Sequence, residues 1–81
     1  MTGTITRVLP GKGYCFIRGD DRISRFGHAR AFVDPVEFDL AREGQAVEFE
    51  PVIETGPRAR SGGQRATEIR LLPGGYAVER L

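Results

Sequence analysis

Seven residues limit this chain more than any others: Lys12-Gly13-Tyr14-Cys15-Phe16-Ile17-Arg18. Successive side chains of a pleated strand point to opposite faces, so Tyr14 and Phe16 project together while Cys15 and Ile17 project the other way. Lys12 and Arg18 share the parity of the rings. One face is small and apolar, and a core needs only that face. The other carries aromatic rings flanked by cations. Flat π-surfaces with positive charge beside them suit the bases and backbone of a single-stranded nucleic acid. The plain alternative is that Tyr14 and Phe16 are core aromatics of a half-buried strand. Cys15 and Ile17 already fill a core face, so the rings are expected to stand outside.

The chain has 81 residues, enough for one domain with a thin core. The domain is expected over residues 1–72, with 73–81 as a short tail. No apolar run is long enough to span a bilayer, and no basic-then-apolar leader opens the chain, so the expectation is a cytoplasmic protein with no membrane partner. The single Cys15 cannot form an internal disulfide, in keeping with a reducing compartment. One Cys and one His do not make a four-ligand zinc site, so no metal and no cofactor is expected. Net charge is +1, but it is unevenly spread: residues 1–33 sum to +4, residues 34–54 to −6 and residues 55–81 to +3. A polyanion would be drawn to the outer thirds and repelled by the middle.

Taken in order, residues 2–9 are rich in β-branched types and predict a strand, with Ile5 in the core. Pro10-Gly11 predicts a turn before the strand at 12–18, and Gly19-Asp20-Asp21 a second turn after it. Residues 22–28 predict a third strand, on which Phe26 and His28 share a face. If the three strands pair in sequence, Tyr14, Phe16, Phe26 and His28 lie side by side. Residues 28–32 predict a helical turn with Phe32 in the core. Asp34 as N-cap, Pro35 at the first helical position, Glu37 at capping-box spacing and Gly44 beyond the end predict a helix over 35–43, with Val36 and Leu40 facing the core. Residues 45–53 predict a fourth strand with Val47 and Phe49 inward. Residues 55–63 predict a basic loop carrying Arg58 and Arg60. Residues 64–72 predict a fifth strand, with Ile69 and Leu71 toward the core, ended by Pro73-Gly74-Gly75. The expected fold is all-β: a five-stranded antiparallel OB-fold barrel with a short helical segment between strands three and four.

At this point the ordered residues resemble the cold-shock domain family, from Gly3 to about Leu72. Gly3-Thr4-Ile5 resembles the family's opening strand. Lys12-Gly13-Tyr14-Cys15-Phe16-Ile17 resembles its first ribonucleoprotein motif, and Phe26-Gly27-His28 its second. Phe38 and then Glu43-Gly44-Gln45-Ala46-Val47-Glu48-Phe49 resemble its loop and fourth strand, and Gly56-Pro57 and Ala66-Thr67-Glu68-Ile69 its final loop and strand. The resemblance implies binding of single-stranded RNA or DNA, often as a chaperone that melts RNA structure. It implies base stacking on Tyr14, Phe16 and Phe26, with His28 beside them, Lys12 near the backbone and Phe38 contributing from its loop. Phe38 has a second reading, as cover for the junction of helix and barrel.

Departures from the family are concentrated on the first strand, where its Trp, Phe and Asn stand as Arg7, Val8 and Leu9; the last Phe of the second motif is Ala29. Each stacked base contributes ~1–3 kcal/mol. Two missing rings therefore weaken binding by orders of magnitude unless arginines compensate, and Arg7 has a guanidinium plane able to stack. No Ser/His/acid or Cys/His set has catalytic spacing, and no Gly-rich phosphate loop precedes a helix, so a binding protein rather than an enzyme is expected. The candidate contacts are Arg7, Lys12, Tyr14, Phe16, Arg18, Phe26, His28, Phe38, Arg58 and Arg60. The alternative is a divergent barrel that binds protein, including itself as a homodimer, suggested by the lost rings and the acidic middle.

Overall fold

The computed structural model describes residues 1–57 and 61–76. Five strands close into a barrel: β1 (Thr2–Leu9), β2 (Tyr14–Gly19), β3 (Ser24–His28), β4 (Gln45–Ile53) and β5 (Gln64–Tyr76). The order around the barrel is β1-β2-β3-β5-β4, with β4 returning to β1. Strands β1, β2 and β3 form the expected meander. The barrel is all-β, but its strands are mixed in direction rather than purely antiparallel. β3 meets β5 in parallel, Phe26 opposite Arg65, because closure brings the last strand back along the third.

One helix, α1 (Pro35–Leu40), lies between β3 and β4, preceded by a 3-10 turn at Ala29–Ala31. The Asp34 carboxylate accepts the Val36 N–H at 3.0 Å, which caps the helix as its sequence predicts. Three expectations here are corrected. The helix stops at Leu40 instead of 43. The Glu37 carboxylate does not turn back to the cap; it accepts the Leu71 N–H of β5 at 3.0 Å and ties helix to barrel. Val36 and Leu40 do share a face, but the outer one, 59% and 56% exposed. Phe38, about 160° from both on a helical wheel, supplies the buried face instead, and Ala41, just past the helix end, is buried beside the barrel.

Inside lie Ile5, Cys15, Ile17, Phe32, Phe38, Ala41, Val47, Phe49, Ala66 and Ile69. Each fully buried aliphatic or aromatic side chain contributes about 1.5–3 kcal/mol by leaving water. Gly27 of β3 also points inward. A Cβ there would stand 3.0 Å from Ile69 Cδ1 and 3.2 Å from Cys15 Sγ, so the core is built around its missing side chain. Arg25 closes one end of the barrel. It is 4% exposed, its guanidinium lies 5.4 Å from the Phe49 ring centre, and it donates two hydrogen bonds to Asp21, at 2.7 and 3.0 Å.

Strand β5 is longer than expected. It runs through Pro73-Gly74-Gly75 to Tyr76, where Gln45 pairs with it. The ladder between Gln45 and Val47 is irregular, and the Gln45 side-chain amide fills the gap by donating to the Leu72 carbonyl at 3.0 Å.

Candidate functional site

The wall formed by β1, β2 and β3 is set by register. Tyr14 pairs with His28, Phe16 with Phe26 and Arg18 with Ser24. Side chains directly opposite in an antiparallel pair share a face, so the three rings come together. Tyr14 and Phe16 have centroids 5.7 Å apart at 83°, Tyr14 and Phe26 4.9 Å at 48°, and Phe16 and Phe26 6.0 Å at 70°. His28 stands 6.3 Å from Phe26. These are attractive edge and tilted arrangements. Tyr14 and Phe16 are half-buried and keep surface toward solvent.

Arg7 joins this wall because β1 is bulged. Ile5 pairs with Ile17, yet Arg7 pairs with Phe16, so one extra residue, Thr6, is accommodated. Strict alternation from Ile5 would turn Arg7 inward. The bulge turns it outward beside Phe16, and Val8 then packs on the core. The Thr6 hydroxyl donates to the Phe16 carbonyl at 3.3 Å. Lys12, in the 3-10 turn Pro10–Lys12, and Arg18 at the other end of β2 are both exposed. The turn ends at Gly13, whose φ of +76° favours glycine.

Two expected contacts are corrected. Phe26 is on the wall but only 6% exposed. Tyr14 and Phe16 lean on it, and the Arg65 guanidinium carbon lies 5.4 Å from its ring centre. It supports the other rings rather than standing open to a base. Phe38 is not on the wall at all. It is 8% exposed in the core, its ring 5.5 Å from that of Phe32, because the inner face of α1 carries it. Arg58 and Arg60 lie outside the described residues.

Arg65 is the contact that sequence reasoning misses. Its Nη1 donates to Glu54 Oε2 at 3.0 Å while the guanidinium covers Phe26. Parity around buried Ala66 is the signal that turns Arg65 outward, but only the parallel pairing of β3 with β5 puts it beside Phe26. His28 Nδ1 accepts the Arg30 N–H at 3.0 Å, capping the turn at Ala29–Ala31, so its proton sits on Nε2.

Two buried or bonded titratable groups away from the wall have shifts with structural causes. Burial raises the Cys15 thiol to about 12 and keeps it neutral. Hydrogen bonding from Arg25, then from the Ile23 N–H, lowers Asp21 to about 2. Among the described residues no group of three His, Cys, Asp or Glu is placed to hold a metal, and no helix is long and apolar enough to cross a membrane. What the wall offers is stacking surface, with Arg7, Lys12, Arg18 and Arg65 around it. Compared with protein-family models and with curated proteins, the sequence matches none.

Proposed function

We propose that this chain binds single-stranded RNA or DNA with little sequence preference, by stacking bases on Tyr14 and Phe16 and contacting phosphates with Arg7, Lys12 and Arg18. One observation carries the reading: half-buried rings and exposed cations share the outer wall of a small barrel. Stacking is sequence-tolerant because every base has a π-face. The strand order is compatible with an OB-fold, and the resemblance to cold-shock domains supports the same chemistry. Capture of single strands is also how such a module would melt RNA structure or regulate transcription or translation. On this reading the chain is a cytoplasmic binding module and not an enzyme.

The test is a fluorescence titration of short oligo-dT and oligo-U at low and moderate salt. Binding that weakens with salt, and falls roughly five- to hundredfold on Tyr14→Ala or Phe16→Ala, is the expected result. No binding at high micromolar protein sinks the reading.

A second reading, a homodimer, is favoured by a different face. Val33, Val36 and Leu40, on and just before α1, are 50%, 59% and 56% exposed and offer apolar surface to a second copy. Light scattering across a concentration series decides it: a monomer at every concentration removes it.

A further inference from the structure

Strand β5 carries two outward side chains past the edge of the wall. Arg65 lies beside Phe26, Thr67 follows two residues later, and Ala66 between them is buried. With His28, Arg30 and Ala31 they line a shallow depression of about 360 Å³. Its polar lining residues are Arg30, Arg65, Thr67 and His28, whose Nδ1 is occupied by the Arg30 N–H. No carboxylate is among its lining residues, although Glu54, ion-paired to Arg65 at 3.0 Å, lines the adjoining depression that shares Ala31, Arg65 and Thr67 with it. Two other depressions include an acid in their lining: Glu54 in the adjoining one, and Asp20 in the one at Arg18. A concave lining with two permanently charged guanidiniums, of which Arg65 shares its charge with Glu54, leaves a net positive environment that suits an anion. Arg65 is also held in place. Glu54 takes one of its N–H groups, and the Phe26 ring supports its plane, so little side-chain freedom remains to be lost on binding.

We propose that this depression is a phosphate subsite, taking one backbone phosphate of a single strand whose bases lie on Tyr14 and Phe16. The inference rests on the single-strand reading above. It extends the binding surface from the β1–β3 wall onto β5 and assigns contacts to Arg30, Arg65 and Thr67.

The experiment is an anisotropy titration of labelled oligo-dT about seven nucleotides long, unmodified or with single methylphosphonate linkages, over a range of salt. In the wild-type chain, neutralising one particular linkage is expected to weaken binding about tenfold. In Arg30→Ala and in Arg65→Ala that linkage ceases to matter, and the slope of log Kd against log salt falls by about 0.7. Arg70→Ala, an exposed cation of β5 opposite Glu48 and outside the depression, changes neither. Arg65→Ala also uncovers Phe26, so Arg30→Ala, which does not, separates lost charge from a disturbed wall. If the wild-type chain binds oligo-dT but Arg30→Ala keeps the full salt slope and the full sensitivity to every linkage, the subsite is overturned and the stacking reading stands. If the wild-type chain binds no oligo-dT, both fall.

Discussion

Two groups of aromatic rings in this molecule have nearly the same internal geometry and opposite surroundings. Tyr14, Phe16 and Phe26 pack with centroids 4.9 to 6.0 Å apart on the outside of the barrel. Phe32 and Phe38 pack 5.5 Å apart on the inside. The inner pair touches an apolar core, where its role ends at stability. The outer group has Arg7 opposite Phe16 and Arg65 over Phe26. Ring packing alone therefore says nothing of purpose. Strand parity and the charges brought alongside by pairing decide it. Phe26 sits between the cases, on the outer face yet covered, and acts as a floor for its neighbours.

The comparison predicts a large asymmetry in stability. Phe32→Ala opens a hole in the core and is expected to cost about 3–5 kcal/mol, a substantial share of the 5–15 kcal/mol typical of a domain. Tyr14→Ala removes a half-buried ring and is expected to cost about 1–2 kcal/mol. Urea unfolding of the two variants checks this, and equal losses would erase the distinction. Next in size is Gly27→Val. Its side chain would enter the space of Ile69 and Cys15, with an expected loss of about 1–3 kcal/mol and no direct effect on the wall.

Smaller effects should appear at the extremes of pH. Asp21 titrates near 2 when folded and near its ordinary 3.8 when unfolded. The unfolded chain takes up its proton first as pH falls, so the stabilisation is complete above 3.8 and lost on the way to about 2. Asp21→Asn should flatten that acid limb in thermal melts. Cys15 has the opposite sign: its folded value of about 12 lies above the ordinary 9.0, so stability declines as pH climbs between them. Cys15→Ala should remove that decline.

Much of the wall was legible because β2 is regular: alternation through Tyr14-Cys15-Phe16-Ile17 holds without interruption. The core positions Ile5, Val47, Phe49 and Ile69 followed from the same rule. What escaped it were places where the backbone breaks the period. The extra residue at Thr6 reverses the parity of Arg7. Another irregularity near Glu68, whose φ is +49°, lets Ala66 and Ile69, three apart, both face inward. Neither has a compositional mark. The face of α1 was misread because an i, i+4 apolar pair fixes a stripe without saying which way the stripe is turned. Arg65 escaped because its partner, Phe26, reaches it only through barrel closure.

The measurement that bears most directly on the account is binding of short oligo-dT by the wild-type chain and by Tyr14→Ala/Phe16→Ala, with melting curves to verify that the double variant is folded. The account predicts salt-sensitive binding by the first, and a loss of about a hundredfold or more in the second. Wild-type affinity in a folded double variant would contradict it.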